Sequence, residues 1–226
     1  MSLPEMDDGT VYLVEDDEQV RAAFASLIRS AGHRVETFDS PAAFLSRHRH
    51  SNDGCLVLDV RLPGMSGLEL QHALRSTGND IPIIFITGHG DIPMTVQAMK
   101  GGAVEFLAKP VQEQQLLQAI DQALQWSRSR QRHAREIRIL RSRCASLTGR
   151  EREVLAGIVN GKRNKQIAAD LGVSEITVKI HRRHIMSKMS ASSLADLVLM
   201  VARMSAAGLH PCPIEECSSS HKGIAG

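Results

Sequence analysis

Four short apolar runs, each ending at a charged or hydroxyl-bearing residue, constrain this chain more than any other feature. Val11-Tyr12-Leu13-Val14 leads into Glu15 and Asp16, and Cys55-Leu56-Val57-Leu58 into Asp59. Ile83-Ile84-Phe85-Ile86 leads into Thr87, and Glu105-Phe106-Leu107-Ala108 into Lys109-Pro110. Short apolar runs of this kind read as buried parallel strands. Chemistry in an open parallel sheet gathers at the carboxyl ends of its strands. Four strand ends would then set three carboxylates, a hydroxyl and an ammonium around one crevice.

Clustered carboxylates repel one another, and a hard cation relieves that repulsion. Mg2+ typically takes one or two carboxylates and keeps several waters. One carboxylate could then act as nucleophile toward phosphorus, giving an aspartyl phosphate. An ammonium and a hydroxyl are suitable donors to the oxygens of a transferring phosphoryl group. Lys109 and Thr87 supply them, and Gly88 beside Thr87 leaves room. Taken singly, an Asp after a strand is a turn residue or a helix cap as often as a functional group, and a Lys-Pro is usually a loop. Five such residues in register, with Pro63-Gly64-Met65-Ser66-Gly67 following Asp59, favour chemistry over that plainer explanation.

Charge divides the chain. Residues 1–124 hold 9 Lys/Arg against 17 Asp/Glu, a net of −8, whereas residues 125–226 hold 18 against 8, a net of +10. An acidic half joined to a basic half suggests two tasks, the basic one directed to nucleic acid. Between them, the stretch from Val111 to about Arg143 lacks Gly and Pro. Leu116, Leu117, Ile120 and Leu124 recur at helical spacing and should pack on the sheet. Apolar periodicity then fades, and Arg128 to Arg143 contains seven arginines and one acid. This predicts a helix that leaves the first domain and runs into solvent as a linker. Its arginines read as a solubility device, with long-range attraction to DNA as a by-product.

The basic half carries helix signals in close succession. Thr148-Gly149-Arg150-Glu151 has the form of a capping box and opens a helix through Val154, Leu155, Ile158 and Val159, stopped by Gly161. Asn164 to Leu171 predicts a short helix, Gly172-Val173 a tight turn, and Ser174 the cap of a helix from Glu175 to about Met189. That is a helix-turn-helix. Ser193 and Asp196 suggest another capping box, opening a last helix to about Met204. Within Glu175–Met189, Val178, Ile185 and Met189 form a stripe for the core. Lys179, Ile180 and Arg183 form another. An exposed Ile180 between two cations suits contact with a thymine methyl, while Lys or Arg can reach guanine acceptors.

The acidic half resembles the receiver domain of bacterial two-component response regulators over roughly residues 8 to 125. Val-Glu-Asp-Asp, Leu-Asp-Val-Arg-Leu-Pro-Gly-Met-Ser-Gly, Ile-Thr-Gly-His-Gly and Ala-Lys-Pro carry the resemblance. The run from Ile86 to Lys100 is similar to the FixJ branch. The resemblance implies Asp59 as phosphoacceptor, with Thr87 and Lys109 assisting. It implies Asp16 and Asp59 as direct Mg2+ ligands, the Arg61 carbonyl as a further one, and Glu15 acting mainly through water. Glu15 stands where Asp is more usual, one methylene longer. Thr87 and Phe106 would form the switch pair, Thr87 turning to the phosphate while Phe106 moves inward. The helix from about Ile92 to Lys100 and the strand holding Phe106 would become a dimer surface.

Residues 144–206 resemble the LuxR-type DNA-binding domain, through Leu-Thr-Gly-Arg-Glu-Arg-Glu-Val-Leu, Asn-Lys-Gln-Ile-Ala and Thr-Val-Lys-Ile-His-Arg-Arg-His-Ile-Met-Ser-Lys-Met. That resemblance implies that Lys179, Ile180 and Arg183 read bases. Thr177, Arg182, Lys188, Asn164 and Lys165 would mainly touch phosphates, which position without specifying. His181 is either a phosphate contact or a partly buried histidine. The whole chain is similar to the FixJ/NarL family, and within it to StyR/TodT-like regulators of aromatic-compound degradation.

The expected architecture is therefore an α/β receiver with a five-stranded parallel, doubly wound sheet (1–125), a linker helix (126–143), an all-α four-helix DNA-binding domain (144–206) and a disordered tail (207–226). The function implied is transcription regulation switched by phosphorylation at Asp59. The implied partners are a sensor histidine kinase, promoter DNA, RNA polymerase and a second copy of the chain on phosphorylation. Two alternatives compete. A receiver serving only as a dimerisation module would need no phosphate, and the intact acid pair, Thr87 and Lys109 speak against it. A phosphatase working through an aspartyl phosphate would want a general acid two residues after the nucleophile, where Arg61 stands.

No run of 18 apolar residues predicts a membrane span. The acidic stretch Met1 to Gly9 is unlike a signal peptide. Four scattered cysteines without framework spacing suit a reducing cytoplasm. Cys55 reads as core. Cys212 and Cys217, near His210 and His221, could bind a metal, but the surrounding Pro, Ser and Gly favour a disordered tail.

Overall fold

The computed structural model describes residues 9–47, 53–88 and 92–208. The contacts divide the chain into two units, Met1–Arg132 and His133–Gly226, each with its own core.

The first unit alternates strand and helix: β1 Thr10–Val14, α1 Glu18–Ser30, β2 Val35–Phe38, α2 Pro41–Arg47, β3 Gly54–Asp59, α3 Gly67–Ser76, β4 Ile83–Thr87, α4 Ile92–Lys100 and β5 Glu105–Ala108. All pairings are parallel, in the order β2-β1-β3-β4-β5. The central strands are apolar on both faces because both are covered. Tyr12, Val14, Leu56, Leu58 and Phe85 pack into one cluster with Phe44 of α2 and Leu70 of α3. Val11, Leu13, Val57, Ile84 and Ile86 pack into the other with Ile28 of α1 and Leu116 and Ile120 of the next helix. Strand order reverses between β1 and β3, which opens a crevice at their carboxyl ends. Helix α3 starts directly beneath it. A Cβ on Gly67 would stand 2.4 Å from the Asp59 carbonyl oxygen, so only glycine lets α3 approach so closely.

Helix α5 runs unbroken from Glu113 to Ala145. The expected free linker is packed at both ends. Ser127 is buried and its Oγ accepts from the Gly54 backbone N–H. Gln131 Nε2 donates to Asp53 Oδ1 at 3.0 Å, and Arg130 pairs with Asp80 while lying over the Trp126 ring. At the other end Leu140 and Cys144 are buried in the core of the second unit.

That unit continues with α6 Gly149–Val159, α7 Asn164–Leu171, α8 Glu175–Met189 and α9 Leu194–Ala206. Thr148 and Glu151 form the predicted capping box. Gly172, at φ +63°, makes the left-handed turn between α7 and α8. Val178, Ile185 and Met189 are fully buried against α6 and α9 residues such as Val154, Leu155 and Leu197. One local expectation needs correction. Ser193 caps α9 by accepting from the Asp196 N–H, but the Asp196 carboxylate returns to Ser192, not Ser193. Among the described residues no single helix is long and apolar enough to cross a membrane. Cys212, Cys217, His210, His221 and the tail beyond Gly208 lie outside the described residues.

Candidate functional site

The acid site forms at the β1/β3 crevice. Carboxylate oxygens of Glu15, Asp16 and Asp59 lie within 4.8 Å of one another. Glu15 and Asp59 are buried and Asp16 is exposed, so the cluster opens on the Asp16 side. The Asp17 carboxylate lies outside it and caps α1, accepting from the N–H groups of Gln19 and Val20, while the Asp17 backbone hydrogen-bonds Glu15. Arg21 reaches back from α1 to the carbonyls of Glu15 (2.7 Å) and Asp16 (3.1 Å). It holds the loop that carries the acid pair, and no feature of the sequence pattern marked it.

Lys109, at the end of β5, donates from Nζ to Asp59 Oδ2 at 2.6 Å and to Glu15 Oε2 at 2.7 Å. Asp59 Oδ1 accepts from the Arg61 N–H at 2.8 Å. Burial pulls the Lys109 ammonium down, but its bonds to Asp59 and Glu15 outweigh this and hold it above the usual lysine value. Burial pushes the Glu15 carboxyl up, helped by the Asp59 charge, and the opposing Lys109 contact does not fully offset them. A raised carboxyl in a cluster still needing positive charge fits a divalent cation. Thr87 is fully buried, and its carbonyl accepts from the Lys109 N–H at 2.7 Å. A Cβ on Gly88 would meet nothing within 4 Å among the described residues. Phe106 is half-buried, 6.3 Å from Phe85 between ring centroids.

The second unit presents one face of α8. Lys179, Ile180 and Arg183 are exposed on it, Ile180 by 51%. Ile176, one turn before Ile180, is 69% exposed on the same face. The sequence reading overlooked Ile176, although the i, i−4 spacing from Ile180 marks it. Asn164, Thr177 and Arg182 are half-buried and Lys165 is exposed. His181 is half-buried, with Nδ1 enclosed and without a hydrogen-bond partner. Lys188, expected at a phosphate, also has partners inside the protein. It lies to the side of the exposed face and its Nζ donates to the buried Glu151 carboxylate at 2.7 Å and to the Ser146 carbonyl at 3.3 Å.

An aspartate-centred acid crevice on a five-stranded parallel sheet, carried on the same chain as a helix-turn-helix, defines a phosphoacceptor domain joined to a DNA-binding domain. Residues 11–121 match the response regulator receiver domain, and residues 145–201 match the bacterial regulatory proteins of the luxR family. The chain is 47% identical over 194 residues to the response regulator protein TodT of Pseudomonas putida, covering 86% of each. Among solved structures, the response regulator StyR is 52% identical with a TM-score of 0.78, over 86% of this chain and 98% of that one. Full-length FixJ from B. japonicum is 37% identical with a TM-score of 0.54, over 88% and 98%. The chain belongs to the two-component response regulators of FixJ/NarL type. It is a transcription regulator in which a receiver governs a LuxR-type DNA-binding domain in response to phosphorylation.

Proposed function

We propose that Asp59 accepts the phosphoryl group, delivered from a histidine of a sensor kinase. The observation that carries this is the convergence of Glu15, Asp16 and Lys109 on Asp59 at the strand-order switch. In the transfer, an Asp59 carboxylate oxygen forms a bond to phosphorus as the histidine nitrogen–phosphorus bond breaks. Lys109 is placed to donate to the phosphoryl oxygens, and Thr87 lies beside it at the end of β4. Asp16, Asp59 and the Arg61 carbonyl would hold Mg2+, with Glu15 acting through water, and the ion would neutralise charge between carboxylate and phosphoryl group.

Thr87 and Phe106 then serve as the switch. Thr87 turning to the phosphate vacates space that Phe106 enters, altering the face made by α4 and β5. That face already exposes Ile92, Val96 and Met99, which suits homodimerisation. A dimer presents two copies of α8 to half-sites about one helical turn or a multiple apart. Lys179, Ile180 and Arg183 read bases, joined by Ile176, while Asn164, Lys165, Thr177 and Arg182 touch phosphates. RNA polymerase is the further partner of the promoter-bound dimer, and the kinase and DNA together place the protein in the cytoplasm. The test is to phosphorylate the full chain with acetyl phosphate and Mg2+ and follow its mass, its association and its DNA affinity. A rise in association and affinity together with one phosphate adduct is the expected result. A protein that binds DNA equally well without phosphate would instead use its receiver only as a dimerisation module.

A further inference from the structure

We propose that Arg135, Arg138 and Arg141 of α5 form a second, sequence-independent contact to the phosphate backbone of DNA flanking the operator. The proposal rests on DNA binding by the helix-turn-helix unit, not on which of its residues touch bases.

The cations of residues 133–208 fall into two groups. One group is committed inside the protein. Arg143 donates to the Met189 carbonyl, Lys188 to Glu151, Arg152 to the Ala145 carbonyl, Arg150 to Glu153 and the Leu171 carbonyl, and Lys162 to Asp170. The other group makes no side-chain hydrogen bond or ion pair among the described residues. It includes Lys165, Lys179, Arg182 and Arg183 on the helix-turn-helix, and also Arg135, Arg138 and Arg141. The first four are the cations expected to meet DNA. The arginines of α5 share their condition and are all exposed.

Their placement argues against a merely solvated face. Such a face mixes signs, yet between residues 122 and 149 the only acid is Glu136. Arginines three residues apart are neighbours on a helix, and like charges at that spacing weaken it. A polyanion removes that cost. From Arg135 to Arg141 the helix rises roughly 9 Å, and one DNA strand carries a charge about every 3.4 Å of axis, so the row spans two or three phosphates. The three are also held in fixed relation to α8. Leu140 and Cys144, on the same stretch of α5, are buried in the same core as Ile185 and Met189. Arg143 and Lys188 hydrogen-bond the end of α5 to the end of α8.

The test uses the full chain and an operator obtained by binding-site selection. Salt dependence of affinity is measured for the wild type, for the triple variant Arg135→Gln, Arg138→Gln, Arg141→Gln, for the same three changed to Lys, and for Arg183→Ala. Each is measured on a duplex with long flanks, on one trimmed to the operator, and on random DNA. On the long duplex the Gln variant should lower the log–log salt slope by about one to three units, at about 0.9 for each lost phosphate contact. It should keep its preference for the operator over random DNA. The Lys variant should keep the wild-type slope, and on the trimmed duplex wild type and Gln variant should converge. An unchanged slope in the Gln variant would overturn the proposal. So would an equal loss on long and trimmed duplexes, which would reduce the row to long-range attraction, or a Lys variant as weak as the Gln one, which would indicate packing. Arg183→Ala separates this from the recognition helix, because it should alter operator preference rather than the effect of flank length.

Discussion

Lys109 Nζ lies 2.6 Å from Asp59 Oδ2, so the side chain placed to meet a phosphoryl group is already bonded to the proposed acceptor. The same ammonium lies 2.7 Å from Glu15 Oε2 and offsets charge on two buried carboxylates. Lys109 thus keeps the acid cluster tolerable as it stands, and in the proposed phosphorylation its flexible stem would let it follow the charge.

Asp59→Asn keeps the shape of the site and removes the nucleophile. Intact-mass measurement after treatment with acetyl phosphate and Mg2+ should show one phosphate adduct on the wild type and none on the variant. The variant should fold normally, because the amide oxygen can still accept from the Arg61 N–H, and Lys109, losing its bond to Oδ2, keeps Glu15 as a partner. An equal adduct on both proteins would move the acceptor elsewhere.

Thr87→Ala separates phosphorylation from its consequence. Thr87 is buried at the end of β4, where its backbone rather than its hydroxyl holds the Lys109 N–H. The variant should therefore accept phosphate, yet dimerise at least about tenfold more weakly, since the lost hydroxyl bond to a charged group is worth about 1.5–3 kcal/mol. Analytical ultracentrifugation with and without phosphate measures this. Normal phosphate-dependent association would remove Thr87 from the switch.

The central strands and their polar ends were legible because a strand covered on both faces is apolar at every position, whatever lies around it. Strand β2 escaped this logic. It lies at the sheet edge, Glu36 and Thr37 face solvent, and only Phe38 is buried. The helices of the second unit announced themselves through Thr148, Gly172 and Ser174, whose roles are local. Long-range partners left no local trace. Nothing near Arg130 or Gln131 in the chain indicates Asp80 or Asp53, so the start of the supposed linker looked free. Lys188 looked available to phosphate for the same reason, its carboxylate partner lying 37 residues away.

That pair has a pH signature. Burial alone would push the Glu151 carboxyl up, but its bonds to Lys188 and to Thr148 outweigh this and hold it below the usual carboxylate value. A depressed carboxyl contributes stability above its unfolded value, and that contribution is lost as pH falls through the folded one. Protection of α6 and α8 amides from hydrogen exchange should therefore weaken on acidification below about pH 4, near the ordinary Glu range. Lys188→Met should cost about 1–2 kcal/mol at neutral pH, discounted for the partial exposure of the lysine, and should blunt that acid response. Hydrogen exchange on the full chain across pH reads both effects. If Lys188 served mainly as a phosphate contact, protection would stay unchanged and the salt slope of DNA binding would fall by about one unit.

Arg183 belongs to the exposed face of α8, one turn from Lys179 and beside Ile180, and it has no internal partner among the described residues. Its guanidinium is free to make a bidentate contact with a guanine edge, which discriminates against a wrong base by about 1–3 kcal/mol. Arg183→Ala should accordingly weaken operator binding by that amount and relax the requirement at one base position in each half-site, with a smaller effect on random DNA. Ile180→Ala should lose apolar contact at a thymine and likewise act on the operator more than on random sequence. Binding to the operator, to single-base variants of it and to random duplexes, at matched salt, distinguishes these outcomes from loss of a phosphate contact, which weakens every sequence alike. Equal weakening on all three classes of DNA by Arg183→Ala would show that Arg183 grips the backbone and that base reading lies with its neighbours on the same face.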